Sequence, residues 1–393
     1  AKLDARFAGS AEVLSGEIQL AMADGLLQAA PNVDLKSGKW STTVALSHPG
    51  ARRLLGAAGL LEREGLNGVP GWIGDGSLSL VARLAGGLGR LTVEKFDLTA
   101  AALHAKGNLA IDLQAVRPRV DGRIDADTLT LPLPNGGSDV PLPLGLLHGW
   151  QGDVQIAAGQ IRTGTGVTLT DAAARLVVAD DRLHLDHFTA RLGGGSVAGD
   201  AVFDASKGPP ALTLDAGVSN ASITGRLDDA PIRLESGRAD ASVRLAATGY
   251  SPSALLATLD GRATLKVQDG LVAGFDLFRL KQAVEKPDPK SAQAAVDEAL
   301  RSGVTTFDRL EVSATITHGD VVLDAGSLNG AAGEAQASGG LSLANRMLDV
   351  RIMLHPGIPS PPQVALHLVG PIDRPSRTTE LAELARWMAA LVH

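Results

Sequence analysis

Apolar and polar residues alternate along most of this chain, and that odd-even pattern restricts it to extended strands with one greasy face and one wet face. The pattern is plain in Ile18-Gln19-Leu20, Leu78-Ser79-Leu80, Leu109-Ala110-Ile111-Asp112, Leu183-His184-Leu185-Asp186 and Leu212-Thr213-Leu214-Asp215. It recurs in Val243-Arg244-Leu245, Leu265-Lys266-Val267, Val312-Ser313-Ala314-Thr315-Ile316, Val350-Arg351-Ile352 and Leu366-His367-Leu368. A sheet wetted on one side only is antiparallel. Gly, Asp and Asn clusters such as Ala179-Asp180-Asp181, Gln268-Asp269-Gly270 and His318-Gly319-Asp320 supply the positive-φ positions of tight turns, so meander connectivity follows.

Helical spacing is confined to a few places: Ala51 to Glu64, Pro252 to Leu259, a pair between Leu277 and Arg301 broken at Lys286-Pro287-Asp288-Pro289, and Thr379 to Val392. The last carries Leu381, Leu384, Ala385, Met388, Leu391 and Val392 on one side, so it should dock by that stripe. Internal similarity links the strands. Leu91-Thr92-Val93 leads through Phe96 and Leu98 to Gly107-Asn108-Leu109, and Leu183-His184-Leu185 leads through Phe188 and Leu192 to Gly199-Asp200-Ala201. Val321-Val322-Leu323 leads through Leu328 to Gly339-Gly340-Leu341 in the same order. Each unit is too small to bury its own face, so neighbours must stack edge to edge.

Several function classes are excluded. With 0 Cys there is no disulfide, thiolate metal site or thiol nucleophile. A net charge of -7, with no basic cluster beyond Arg52-Arg53, leaves nucleic acid without its electrostatic footprint. His184 and His187 lie three apart, which alternation assigns to opposite faces rather than to a metal pair. Gly193-Gly194-Gly195-Ser196-Val197-Ala198-Gly199 lacks the Gly-Lys-Ser/Thr ending and the following helix of a phosphate loop. Thr163-Gly164-Thr165-Gly166 reads as a loop, and carboxylates such as Asp215 and Asp349 sit at wet strand positions. Neither a catalytic residue, a metal site nor a cofactor is expected. No apolar run reaches the roughly 18 to 20 residues that cross a bilayer, and the start at Ala1 suggests a fragment cut downstream of an anchor or leader.

What remains as a candidate site is the apolar face itself: Ile18, Leu20, Leu78, Leu80, Leu84, Leu109, Ile111, Leu183, Leu185, Leu212 and Leu214, continued by Val243, Leu245, Leu265, Val267, Val312, Ile316, Val350, Ile352, Leu366 and Leu368. In an average β-protein such residues form a dry core. Here only 7 Phe, 4 Trp and 1 Tyr are available as filler, and few helices exist to cover the sheet. A sheet of some twenty strands would be on the order of 100 Å long, and an open apolar strip of that length needs a greasy occupant.

The stretch Leu259-Asp260-Gly261-Arg262-Ala263-Thr264-Leu265-Lys266-Val267-Gln268-Asp269-Gly270-Leu271-Val272-Ala273-Gly274-Phe275-Asp276-Leu277 resembles the signature region of the AsmA-like family. A helical insert, Thr305-Thr306-Phe307-Asp308-Arg309-Leu310, a Gly339-Gly340-Leu341-Ser342-Leu343 strand and a terminal helix follow in that family's order. Upstream, Arg117-Pro118-Arg119-Val120-Asp121-Gly122 and Gly249-Tyr250-Ser251-Pro252 are similar to its preceding repeats. The resemblance implies an elongated, curved β-groove, with residues 1–239 as repeated meanders and 240–393 as a C-terminal segment holding the insert and the last helix. It also implies a periplasmic location, an inner-membrane tether outside this chain, phospholipid as the partner, an envelope or outer-membrane protein as a further one, and a part in outer-membrane biogenesis. Two alternatives stay open: a structural or assembly factor with a closed, dry core, and a soluble carrier of one apolar ligand.

Overall fold

The computed structural model describes residues 2–22, 24–51, 53–54, 76–101, 103–131, 137–164, 166–224, 232–286, 288–359, 364–381, 383–384 and 386–387. The strands form a mostly antiparallel sheet of 21 members, and the chain divides into two compact units. The first holds Ala1–Asn135, Val140–Ala190 and Gly199–Ala211; the second holds Gly136–Asp139, Arg191–Ala198 and Leu212–His393.

In the first unit eight strands pair consecutively and antiparallel: β1 (Lys2–Gly9), β2 (Val13–Met22), β3 (Gly25–Asp34), β4 (Trp40–His48), β5 (Leu78–Gly87), β6 (Arg90–Ala100), β7 (Leu103–Asp112) and β8 (Arg119–Leu131). The meander is then interrupted. β9 (Gln151–Thr163) lies parallel to β8, and β10 (Thr168–Ala179) returns antiparallel to β9. A parallel neighbour needs a crossover in place of a hairpin, and the described residues 137–150 belong to that connection. β11 (Arg182–Leu192) and β12 (Gly195–Asp204) follow.

Register matters more here than topology, because a slip of one residue would turn every apolar side chain to the wet side. Leu20 faces Leu27, Leu27 faces Leu46, Leu46 faces Leu80 and Leu80 faces Leu98. A second row joins Leu84, Val93, Leu109, Gly122, Val154 and Leu176 across β5 to β10. The parallel β8–β9 pair keeps the phase, with Ile124 opposite Ile156 and Ala126 opposite Ala158. One face is therefore apolar from β1 through β10.

Strict alternation does not hold throughout. Between Val93 and Phe96 the ladder shifts by one, Glu94 and Lys95 both point to water, and Phe96 stays on the apolar side at 9 % exposure. The same device recurs at Asp269 (φ 51°) in β15 (Asp260–Ala273), where Val267 and Val272 are both buried although five residues apart. Gln268-Asp269-Gly270 is thus a bulge inside a strand, not the turn expected of it. His187 also takes φ 54°, so alternation counted through it does not assign it a face, and the argument separating it from His184 fails.

These left-handed positions share a support. The backbone N–H of His187 donates to Asp200 Oδ1 at 2.7 Å, that of Asn220 to Asp240 Oδ1 at 2.9 Å and that of His318 to Asp260 Oδ1 at 2.8 Å. A carboxylate from another strand satisfies the donor left over by the irregularity.

The second unit contains β13 (Ala211–Thr224), β14 (Arg233–Thr248), β15, β16 (Val304–Thr317), β17 (Asp320–Gly330), β18 (Gly333–Ser342), β19 (Met347–Pro356), β20 (Val364–Pro371) and β21 (Ser376–Glu380). From β14 onward the pairing is consecutive and antiparallel. Its described residues include the helices α1 (Pro252–Ala257), α2 (Leu277–Val284) and α3 (Pro289–Arg301), besides the terminal helical residues. Asp276 caps α2 by accepting from the N–H of Arg279 at 2.8 Å, and Asp288 caps α3 by accepting from Ser291 at 3.0 Å, with Pro289 in the first turn. α2 buries Leu277, Leu280, Ala283 and Val284; α3 buries Ala292, Val296, Ala299 and Leu300. Both stripes join one core with Val267, Leu354, Val364 and Leu366, and α2 packs on β16, β18 and β19.

The expected terminal helix begins later than its apolar stripe indicated. Thr379 and Glu380 belong to β21, opposite Leu366 and Ala365, and helical residues start at Glu383. Leu384 (2 % exposed) and Leu381 do pack on the core, as that stripe required, and Trp387, which the stripe did not include, packs there too; Ala385, Met388, Leu391 and Val392 lie outside the described residues. So does nearly all of the helix expected at Ala51 to Glu64, of which Ala51 and Leu54 pack on Leu78 and Ala100.

Candidate functional site

The two units treat their apolar faces differently. In the second unit α2, α3 and the terminal segment lie over the strands, and Val267 (0 %), Leu366 (0 %), Leu368 (6 %) and Ile352 (9 %) are packed beneath them. Ile316 (8 %) is closed off by Leu255 and Leu256, both in α1. In the first unit Leu78 (7 %) packs under Ala51.

The remaining residues of the candidate face are only half-buried. Ile18, Leu20, Leu80, Leu84, Leu109, Ile111, Leu183 and Leu185 are so placed, as are Leu212, Leu214, Val243, Leu245, Leu265, Val312 and Val350. Small side chains between them are buried, with Ala82, Ala105, Ala126, Ala158 and Ala172 each 4–6 % exposed, and so are Val154 (8 %) and Val178 (2 %). Large aliphatic chains thus shade the alanines at their feet while keeping their own ends in solvent. No described helix lies over the rows joining β1 to β4 or β6 to β10.

Register also adds residues that the alternating segments alone did not single out. Leu27, Leu46, Leu91, Val93, Leu98, Val154, Ile156 and Leu176 complete the rows. Leu91 and Val93 were visible as part of the repeat. Leu27 and Leu46 were not, because Ala29-Ala30-Pro31 and Val44-Ala45-Leu46 blur the alternation.

Charge is kept to the other side. On the wet face Arg119 meets Asp121 at 2.7 Å, Arg123 meets Asp125 at 2.7 Å and Arg175 meets Asp153. Hydrogen bonding to Arg123 lowers the Asp125 pKa, and that to Arg175 lowers the Asp153 pKa. Asp204 falls to about 2 through Ser206 first and Arg182 second. His104 bridges Asp127 and Asp97, which raise its pKa. Such exposed pairs add little stability, because water screens them. On the apolar face His48 is buried opposite Leu78, where the Gly50 N–H donates to its Nδ1 at 2.9 Å.

Among the described residues no cluster of His, Asp and Glu could hold a metal ion, and no helix is long and apolar enough to cross a membrane. What the face can do chemically is bury hydrocarbon. Its capacity is set by area, at about 0.8 kcal/mol per methylene removed from water.

No curated protein and no solved structure matches the chain. The family model for the AsmA family matches residues 60–324. That span takes in β5 to β10, the insert carrying α2 and α3, and the strands up to β17. AsmA-family proteins are envelope-associated, their work is coarsely lipid transport or envelope assembly, and the family is not known for enzymatic activity. With well over half of its length matched, and with the mostly antiparallel sheet that the resemblance implied, this chain belongs to the AsmA family.

Proposed function

We propose that the chain carries phospholipid for the bacterial outer membrane, with acyl chains lying on the apolar face of the first unit and headgroups left in water. The observation that carries this reading is the register of half-buried Leu, Ile and Val from β2 to β10, Val154 alone of its rows being buried, over which no described helix lies apart from the Ala51–Leu54 contact. An uncovered strip of this kind marks an interaction surface in a folded protein. Burial of acyl methylenes at about 0.8 kcal/mol each holds a chain without a specific polar contact, so selectivity among lipids is low. The proposal places the chain in the periplasm, tethered to the inner membrane by a segment outside the sequence, with an envelope protein as a further partner.

Transfer of a fluorescent phospholipid between donor and acceptor vesicles tests it. Leu109→Asp puts an unpaired charge among Val93, Gly122 and Val154 and should abolish transfer, while Asn108→Asp, on the wet face beside it, should leave transfer intact. Equal transfer by both variants would end the reading.

The scaffold alternative has one observation in its favour. The second unit is closed by its own helices, with Leu277, Leu280, Leu300 and Leu366 at 0 % exposure. The lipid-carrying reading does not draw on Leu277, Leu280 or Leu300, whereas Leu366 belongs to the candidate face and is packed under the helices.

A further inference from the structure

We infer that the second unit holds a seat for the methyl end of a single hydrocarbon chain. This deepens the acyl-carrying reading and rests on it. A cavity of about 180 Å³ opens among β14 to β19, in front of Phe275. Its shape follows from the sequence. In the sheet row that contains Leu265 and Val312, the next strand contributes Gly326, which sits against Ala337, whose partner in turn is Ile352. Two small residues side by side leave a hollow between Val312 and Ile352. The hollow is built in, because a Cβ on Gly326 would stand 2.9 Å from that of Ala337.

Burial gives the cavity a direction. Ile232, Leu234, Leu310 and Val312 are half-buried at its mouth, whereas Val272 (5 %), Phe275 (2 %), Leu328 (4 %) and Ile352 (9 %) close its back. Phe275, buried at the back of the cavity, stands just before the Asp276 cap of α2.

The occupant is fixed by chemistry and size. The lining is apolar except for Arg233 and Ser327, and the Arg233 guanidinium is engaged by Glu235 at 3.2 Å. Among the described lining residues no uncommitted cation is offered to a phosphate or carboxylate head. Apolar cavities of about 150 Å³ stay dry and admit benzene-sized guests. The space here suits a few terminal carbons of one chain, and neither a glycerol backbone nor a fused-ring lipid.

Photocrosslinking on the full chain reads this out, using two palmitic acid analogues, one with a diazirine at the terminal carbon and one with it beside the carboxyl group. The terminal probe should label peptides containing Phe275, Leu310 and Ile352, and the carboxyl-side probe should not. Ala337→Leu fills the hollow and should cut terminal-probe labelling there about tenfold, with total bound probe unchanged. If Ala337→Leu lowers the melting temperature, Val312→Phe enters the same hollow from its mouth and makes the same test. Identical labelling patterns for the two probes, or labelling indifferent to both substitutions, would overturn the seat and leave the acyl-carrying reading standing. No labelling by either probe anywhere on the chain would overturn both.

Discussion

Removing the Arg377 side chain should loosen the helical roof of the second unit without unfolding its sheet. Arg377 stands on β21 opposite Leu368, and its Nη2 donates to the carbonyl of Gly274 at 2.6 Å and to that of Leu300 in the last turn of α3. Gly274 (φ 122°) and Gly303 (φ 114°) flank the helical insert and are joined by a 3.0 Å hydrogen bond from the Gly274 N–H to the Gly303 carbonyl. One cation therefore ties both roots of the insert to β21 and sits at the negative end of a helix dipole. Hydrogen bonds to a charged donor contribute about 1.5–3 kcal/mol each, so two would give about 3–6 kcal/mol gross. Against this stands desolvation, which lowers the Arg377 pKa, and a buried Nε without a partner. The net expectation for Arg377→Ala is about 2 kcal/mol, or roughly thirtyfold faster local opening. Hydrogen exchange of peptides from 275–302 should accelerate by that factor, while strands β16 and β17 keep their protection. Arg377→Lys, a point charge that cannot fork between two carbonyls, should fall between the two. Unchanged exchange in 275–302, or acceleration spread evenly over the sheet, would refute the latch.

Other outcomes follow from the same geometry. Leu366→Ala, at a fully packed position, should cost about 2–5 kcal/mol in urea unfolding, whereas Leu109→Ala should cost under about 1 kcal/mol because no layer covers it; equal costs would mean that both faces are packed. Asp240→Ala strands the N–H of Asn220 at its left-handed position and should lower stability by about 1 kcal/mol in a thermal melt, with Asn220→Gly restoring part of the loss. His104 has its pKa raised above 6.5 by the hydrogen bond to Asp127 first and Asp97 second. Its contribution is thus fully present below pH 6.5 and is lost as pH rises through the higher folded value. Urea midpoints of the wild type and His104→Gln should converge as pH climbs through that window, and a constant gap would sink the assignment.

How far the sequence carried the fold can be judged from particular residues. Alternation in Leu109-Ala110-Ile111 or Leu265-Lys266-Val267 located strands, since period two has no other structural source, and the Pro287 and Pro289 break separated α2 from α3. Alternation carries no strand direction, however, so the parallel β8–β9 pair was invisible. The bulges at Glu94-Lys95 and Asp269 were hidden too, because an inserted polar residue looks like a turn until both flanking strands are seen to continue. Exposure was the least legible property. Leu109 and Leu366 sit in equivalent patterns, yet one is half-exposed and the other lies under a helix. The difference is made by α2 and α3, whose apolar stripes could be read but whose landing place could not.

Native mass spectrometry of the chain purified from cell envelopes and released gently from its carrier tests the open apolar face most directly. The face predicts adducts of phospholipid mass on the wild-type chain, heterogeneous in acyl composition, and their depletion in Leu109→Asp but not in Asn108→Asp. A wild-type chain that emerges bare, and stays bare after incubation with phospholipid vesicles, would contradict the account at its root.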